Sequence, residues 1–336
     1  METKYIYIER GNTNEEMNLF SDFEKLDNVK CIKTKKKNLK NVLLKIIRKV
    51  HLSKKLGKIV HLPLKRIWYD LSELQIEKNN NYVIMMLPNV FFDYDISIIK
   101  RYKKYKNVKL VLILLDTVGV NTPAGRLIDT LYKDKMWDYI LSYDYNDVQK
   151  YGFYYLDESY YSKPEIEEQE IKSDAYFIGA VKPGRTEEIV ELFKVLKENN
   201  VNVEFDIFNK HDGRYIEYED KNFHMLKQRK SYMEVLKETK QTNCIIELMQ
   251  EGQQAQSARY FEAVCFNKKL LTNNKNLKRL SFYNEKYMKY FDKFEDIDFE
   301  WVKKKEKIDY GYKGEFSPIH IIEKIEELEK EWKKSQ

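Results

Sequence analysis

Cysteine is scarce in this sequence. The 336 residues include three, Cys31, Cys244 and Cys265, which lie far apart and show no Cys-x-x-Cys spacing. An odd number of distant cysteines excludes a disulfide framework and a cysteine-based zinc site. Glycine (11) and proline (6) are also few, which argues against collagen-like segments and long flexible linkers. The sequence therefore predicts a globular protein of a reducing compartment.

Long apolar runs are missing as well. No stretch of about 18 apolar residues occurs, which excludes a membrane-spanning helix. The first ten residues lack the basic flank and apolar core of a signal peptide, so we expect a cytoplasmic protein. Hydrophobic residues still make up 43% of the chain, and its length suits two domains of about 150 residues each.

Residues that bind metals are not arranged for that purpose. The five histidines show no metal spacing, and the Gly-x-Ser-x-Gly motif of serine hydrolases is absent. Two Asp-x-Asp pairs, Asp93/Asp95 and Asp296/Asp298, have a spacing that can hold a divalent ion. Neither pair follows a clear central strand. We predict neither a metal nor a cofactor.

Acidic residues are missing from one long stretch. Residues 30–69 contain 14 Lys and Arg and no Asp or Glu, although the net charge of the whole chain is only +6. Apolar residues at helical spacing alternate with Lys45, Arg48 and Lys49, which predicts an amphipathic basic helix. Such a helix can lie on the surface of an anionic membrane. The alternative is that its apolar face packs on a sheet of the same protein.

The rest of the chain alternates short apolar runs with amphipathic ones. The predicted strands are 5–9, 30–33, 82–87, 109–115, 139–142, 175–179, 203–208, 244–249 and 269–272. The predicted helices are 15–25, 39–50, 65–77, 96–105, 124–132, 187–199, 232–239, 257–266 and 319–333. This alternation is typical of parallel sheets covered by helices. It predicts a Rossmann-like domain at 1–158, a linker at 159–174, a second Rossmann-like domain at 175–317 and a closing helix at 318–336 that crosses back to the first domain.

The most informative segment runs from Cys244 to Asn274. It is predicted to form a strand, a polar loop containing Gly252 and Gln253, a helix capped by Ser257, and a second strand. The N-terminus of that helix offers N–H groups and the positive end of a dipole to a diphosphate. Within the helix, Arg259 could pair with a phosphate and Glu262 could accept ribose hydroxyls. The alternative is that these two side chains form an ordinary surface ion pair.

This segment resembles the donor-binding region of bacterial GT-B glycosyltransferases that synthesise capsule, exopolysaccharide and lipopolysaccharide. The matching residues are Gly252, Gln253, Arg259, Glu262, Lys268, Lys269, Leu270, Leu271 and Thr272. The resemblance implies an α/β protein of the GT-B fold, with two Rossmann-like domains facing a central cleft, a nucleotide-sugar donor, and Glu262 as the ribose-binding carboxylate. Retaining members often have a second Glu eight positions earlier, where Gln254 stands here, so the stereochemical outcome stays open.

A second segment with this resemblance runs from Tyr176 to Thr186. A predicted strand leads through Gly179 into a turn with Lys182 and Arg185, and these two cations could hold the donor diphosphate. The turn does not have the spacing of a P-loop. A glycine turn before a helix is also ordinary structural punctuation, so this interpretation has a plain alternative.

An inverting transferase also needs a base that deprotonates the acceptor hydroxyl. Asp116 follows the most apolar strand of the first half, and Glu9 ends the first strand. Both lie at strand ends, where a base is expected. For each of them a role as a loop or capping carboxylate is the alternative.

These observations lead to three hypotheses. The first is a metal-independent glycosyltransferase (hexosyltransferase type) that moves a sugar from a nucleotide-diphosphate donor to a glycan or lipid-linked glycan of the cell surface. It would be cytoplasmic and peripheral on the inner face of the plasma membrane through residues 30–69. The second is a nucleotide-sugar epimerase of the same fold. The third is a non-catalytic nucleic-acid-binding protein that uses residues 30–69, but no RRM, KH or zinc-finger pattern is present, so we expect no nucleic-acid partner.

Overall fold

A computed structural model of the protein describes residues 2–9, 19–53, 64–70, 75–92, 99–119, 123–181, 185–208, 218–249 and 256–334. These residues form two compact units. Unit 1 contains the described residues up to Ser162 and those from Ser317 onward, and unit 2 contains those between Lys163 and Phe316.

Unit 1 is built on a six-stranded sheet. In chain order its strands, together with β3 and β4 of a separate two-stranded sheet, are β1 (Thr3–Glu9), β2 (Val29–Lys33), β3 (Lys35–Lys36), β4 (Tyr69–Asp70), β5 (Asn81–Met86), β6 (Val108–Leu114), β7 (Tyr139–Ser142) and β8 (Tyr154–Tyr155). The sheet has the order β2-β1-β5-β6-β7-β8 and all its pairs are parallel, whereas β3 and β4 pair antiparallel. The apolar run 110–114 of β6 is buried, which fits the central place of this strand in a sheet covered on both faces.

The described helices of this part of the chain lie between those strands. They are α1 (Val42–His51), α2 (Pro123–Tyr132) and α3 (Tyr145–Tyr151), with short 3₁₀ turns at Ser21–Lys25, Lys65–Trp68, Pro88–Phe92 and Tyr102–Lys104. Asp144 caps α3 by accepting from the Asn146 N–H at 2.9 Å, and Gly152 ends it with a φ of 71°. That left-handed conformation suits glycine, which has no Cβ to strain it.

Unit 2 also contains a six-stranded sheet. Its elements in chain order are β9 (Ser173–Ala180), α4 (Thr186–Glu198), β10 (Val203–Phe208), β11 (Phe223–Leu226), α5 (Tyr232–Lys240), β12 (Thr242–Glu247), α6 (Ala258–Cys265), β13 (Lys269–Thr272), β14 (Met288–Tyr290) and α7 (Phe299–Lys303), with 3₁₀ turns at Leu277–Arg279 and Phe294–Asp296. All strand pairs are parallel and the order is β11-β10-β9-β12-β13-β14. Numbered within the sheet, this is the 3-2-1-4-5-6 order of dinucleotide-binding Rossmann sheets.

The last helix, α8 (Ile319–Lys334), belongs to unit 1. The Tyr5 hydroxyl donates to Glu326 at 3.0 Å and the Tyr139 hydroxyl to Glu329 at 2.5 Å. The Ser317 hydroxyl, just before the helix, donates to Asp22 at 2.7 Å. Residues 156–172, all of which are described, contain no helix or strand.

One six-stranded parallel sheet in each unit confirms the predicted fold class, a GT-B-type α/β protein of two Rossmann-like domains. Most predicted elements are present, but two predicted helices are not found where their residues are described. Residues 21–25 form only a 3₁₀ turn, and the described part of 65–77 contains a 3₁₀ turn followed by β4. In the predicted helix 96–105, residues 99 and 100 are helical, and a 3₁₀ turn follows at 102–104. In the first two segments the helical spacing of the apolar residues was misleading.

Candidate functional site

The strand order of unit 2 reverses between β9 and β12. From β9 the chain continues to β10 and β11 on one side and then returns to β12 on the other. The carboxyl ends of these two strands are Ala180 and Glu247. In open parallel sheets ligands bind in the crevice outside such a reversal, since the loops on its two sides diverge there. The segments predicted to bind the donor follow β9 and β12.

The N-terminus of α6 lies beside this reversal. The Ser257 hydroxyl oxygen accepts from the Arg259 N–H at 3.1 Å and its proton is donated to the Glu247 carboxylate. The N–H groups of Ser257 and Ala258 have no acceptor among the residues that the structure describes. Residues 256–259 are half-buried. The helix tip is therefore capped as predicted and is partly open to solvent.

Glu247 is a site residue that the sequence prediction missed. Its side chain is buried and also accepts from the Thr272 hydroxyl at 2.5 Å, so it joins the ends of β12 and β13 to the cap of α6. A carboxylate directly after the apolar residues Cys244–Ile246 of β12 was the available indication, because a buried carboxylate requires hydrogen-bond partners. Its role in the structure is to fix the helix tip at the strand ends.

Arg185 lies at the same edge, next to the end of β12. Its guanidinium donates to the Leu248 carbonyl at 2.5 Å and stands 5.7 Å from the centre of the Phe177 ring. Burial lowers the pKa of Arg185, although the carboxylates of Glu188 and Glu247 act in the opposite direction. The group still remains a cation at neutral pH. Arg185 therefore brings a positive charge to the strand reversal.

Gly179 supports that arrangement from within β9. A Cβ at this position would lie 2.7 Å from the Cζ atom of Phe177, whose ring is buried. The absence of a side chain at Gly179 thus makes room for the ring beneath the Arg185 guanidinium. Gly179 therefore has a packing role, and none of its described contacts identifies a ligand.

Glu262 and Arg259 form a buried ion pair. Their carboxylate and guanidinium are 2.5 Å apart, the Glu262 side chain is 0% exposed and that of Arg259 is 17% exposed. The Tyr232 hydroxyl of α5 donates to the other carboxylate oxygen at 3.2 Å. Burial raises the pKa of Glu262 to about 7 despite the opposing effect of Arg259. The two side chains do form an ion pair, as the alternative interpretation held, but the pair is buried and does not lie on the surface.

Three predicted donor-binding residues, Lys182, Gly252 and Gln253, lie outside the described residues. Two lysines of the resemblance have structural contacts. The Lys269 amino group, fully buried, donates to the carbonyls of Trp301 and Lys304, and the Lys268 amino group donates to the Lys240 carbonyl at 2.7 Å. These two lysines hold the segment after α6 against neighbouring backbone.

The two predicted bases lie at the carboxyl edge of the unit 1 sheet. Glu9 ends β1, where the order of that sheet also reverses, and its carboxylate is 3.2 Å from the Lys33 amino group. Asp116 follows β6, and no described residue forms a hydrogen bond or ion pair with it. Desolvation raises the pKa of Glu9 and that of Asp116, although the Asp116 side chain is largely exposed.

The aspartates of the two Asp-x-Asp pairs do not form a metal site among the described residues. Asp298 caps α7 by accepting from the Trp301 N–H at 2.9 Å, and Asp296 accepts from the Lys293 N–H at 3.0 Å. Asp93 and Asp95 lie outside the described residues. In the described part of the chain no three His, Cys, Asp or Glu side chains are grouped so that they could hold a metal ion.

No protein-family model and no curated protein matches this chain, whereas 37 chains of solved structures do. TarM is 12% identical over 75% of this chain, with a TM-score of 0.49, and the chain spans only 55% of TarM. T4 phage BGT in complex with UDP-glucose is 13% identical, covers 90% of this chain and 88% of its own, and has a TM-score of 0.42. An alpha-glucosyltransferase in complex with UDP and DNA is 12% identical, covers 90% and 89%, and has a TM-score of 0.44. Likenesses this distant assign no activity to the chain.

Proposed function

We propose that this protein is a glycosyltransferase that moves a sugar from a nucleotide-diphosphate donor to a glycan acceptor of the cell surface. One observation carries the proposal: the strand reversal of unit 2 brings together the capped N-terminus of α6 and the guanidinium of Arg185. The strand order favours a ligand at this edge of the sheet, and the helix tip and the cation favour an anionic one. The sequence resemblance of residues 244–274 supports a nucleotide sugar as that ligand.

The chemistry of such a transfer puts charge on the leaving diphosphate. Fixed N–H groups and cations placed where that charge develops stabilise the transition state without reorganising. The helix tip at Ser257 and Arg185 would supply this stabilisation, and Lys182 would add a second cation. This arrangement needs no divalent ion to bridge the phosphates.

Glu262 would hold the ribose, but only after its contacts change. In the structure its carboxylate is closed off by Arg259 and Tyr232. A donor diphosphate would offer Arg259 a second anion of higher charge. We propose that Arg259 then shifts towards the phosphate, so that Glu262 can accept the ribose hydroxyls.

For an inverting transfer, Asp116 is a better base than Glu9. Asp116 is exposed and has no described partner, whereas Glu9 is paired with Lys33. A base must reach the acceptor hydroxyl and accept its proton, and an ion pair opposes both. We therefore propose that Asp116 deprotonates the acceptor.

Calorimetry with UDP, GDP and CMP tests the donor site. UDP comes first, because two of the solved structures named above contain UDP or UDP-glucose. We expect one nucleoside diphosphate to bind, and Arg185→Met to weaken binding by about tenfold or more, as expected for loss of a charge-assisted contact. The matched control is Lys305→Gln/Lys307→Gln, which removes two exposed charges of unit 2.

Two results would contradict the proposal: no nucleotide binds, or Arg185→Met binds the nucleotide as tightly as the control variant does.

Once a nucleotide is found to bind, a panel of its sugar conjugates identifies the sugar, because slow hydrolysis of the right donor releases the nucleotide. An epimerase would instead convert the donor without releasing the nucleotide, and a nucleic-acid-binding protein would show salt-dependent oligonucleotide binding.

A further inference from the structure

Helix α1 displays an apolar stripe of exposed side chains that none of the described residues buries. Six of its side chains are between 41% and 68% exposed, namely Val42, Leu43, Leu44, Ile46, Ile47 and Val50. The sequence allowed the alternative that this face packs on the sheet, and the exposure of the side chains shows that alternative to be wrong. Contiguous exposed apolar surface of this kind marks a binding surface.

The helix is held so that the stripe stays free. Leu39 before it and Leu52 after it pack against the core of unit 1. The His51 ring accepts from the Trp68 indole N–H at 2.8 Å, and the Arg48 guanidinium donates to the Lys37 carbonyl at 2.6 Å. The contacts that fix α1 therefore come from its ends and from its polar side.

Basic side chains border the stripe. Successive helical residues are offset by about 100°, which places Val42, Leu43, Ile46, Ile47 and Val50 within an arc of about 140°. Lys45 and Lys49 lie beyond one edge of that arc, and both are exposed. Lys40 and Lys36, before the helix, are exposed as well. No described residue forms an ion pair with Lys40, Lys45 or Lys49.

We infer that α1 docks unit 1 on an anionic lipid surface, with the apolar stripe entering the boundary between headgroups and acyl chains and the lysines contacting the headgroups. An apolar stripe and an acid-free basic border are both complementary to such a surface. A second copy of this chain would cover the stripe but would set basic borders against each other. Among the described residues no helix has the length and hydrophobicity needed to cross a membrane, so the inferred contact is peripheral.

Vesicle co-sedimentation of the full chain tests this inference. The vesicles consist of phosphatidylcholine alone or of phosphatidylcholine mixed with phosphatidylglycerol. We expect binding to the mixed vesicles only. Lys45→Gln/Lys49→Gln should weaken it by about 25-fold, because each basic residue near an anionic surface contributes about a factor of five. Leu43→Gln/Ile46→Gln/Val50→Gln, which keeps the charge, should weaken it by about tenfold or more.

The control is again Lys305→Gln/Lys307→Gln, which removes the same charge from unit 2 and should bind vesicles like the unmodified chain. All substituted side chains are exposed, and unchanged circular dichroism confirms folding. Three results would overturn the inference: no binding to anionic vesicles, equal binding by the apolar triple variant, or a concentration-dependent dimer that the triple variant abolishes. Nucleotide binding is measured separately, so neither proposal depends on the other.

Discussion

The buried pair of Arg259 and Glu262 makes the cost of losing Arg259 depend on pH. Arg259→Ala leaves a carboxyl that is fully buried, with the Tyr232 hydroxyl at 3.2 Å as its remaining described partner. Removing one member of a buried ion pair costs about 3–5 kcal/mol when the other stays charged. With its cation gone, Glu262 loses the contribution that lowers its pKa, so that pKa rises above about 7.

The sign of the pH dependence follows from that raised pKa. A carboxyl whose pKa is higher in the folded than in the unfolded protein stabilises the fold at low pH and loses this contribution as the pH rises through the folded value. For Glu262 the loss begins above the ordinary glutamate pKa of 4.5 and is complete above about 7. Between about pH 5 and about pH 8 it amounts to about 2–3 kcal/mol. In Arg259→Ala the loss extends to higher pH, where it adds to the destabilisation.

Native-state hydrogen exchange of the β12 amides, corrected for intrinsic rates, reports the stability of unit 2. We expect Arg259→Ala to cost about 3 kcal/mol near pH 8 and about 1 kcal/mol near pH 5. The double variant Arg259→Ala/Glu262→Gln should recover part of the loss near pH 8, since the amide carries no charge to bury. A cost that is the same at both pH values, or a double variant as unstable as Arg259→Ala near pH 8, would refute the reasoning.

Three further substitutions test other parts of the site. Gly179→Ala places a Cβ against the buried Phe177 ring, so urea unfolding should show a loss of about 1–3 kcal/mol and calorimetry a weaker UDP affinity, and unchanged values would show that the ring yields freely. Glu247→Ala leaves the Ser257 and Thr272 hydroxyls without their acceptor; it should cost about 2 kcal/mol in urea unfolding, and Glu247→Gln should cost less. Asp116→Asn should lower kcat by about 10²–10⁴ without changing UDP affinity in calorimetry, and a full kcat would remove Asp116 as the base.

The sequence predicted the central strands best, because their composition leaves little choice. Residues 110–114 are continuously apolar, which suits a strand buried on both faces, and the structure has them in β6. The edge strands β8, β11 and β14 were missed. β8 and β14 have only two and three residues, too few to show a pattern. The helix predicted at 65–77 is not formed for a different reason. Its first residues form a 3₁₀ turn that ends at Trp68, and the next two pair with β3 in a two-stranded sheet.

The site was predictable only as far as local chemistry determines it. Ser257 caps α6 as its position before an amphipathic segment indicates, because capping depends on neighbours two residues away. Arg185 reaches the same edge through a carbonyl 63 residues later in the chain, and Glu247 reaches Ser257 and Thr272 across two strands. Contacts of this kind follow from the strand order, which no local pattern specifies. The sequence could suggest that α1 is amphipathic, but only the packed structure shows that its apolar stripe is uncovered.

Under the proposed function, the charges around the tip of α6 would be rearranged by the arriving ligand. Two cations, Arg185 and Arg259, lie near two buried carboxyls, Glu247 and Glu262. Glu247 is satisfied by hydroxyls and so takes neither cation, whereas Glu262 takes Arg259. The cation available to an arriving diphosphate is therefore Arg185, and Arg259 becomes available only when the phosphate competes with a carboxyl whose pKa of about 7 makes protonation inexpensive. Under the proposed function, we expect this tip to bind anions weakly at first and more tightly once Glu262 accepts ribose hydroxyls or is protonated.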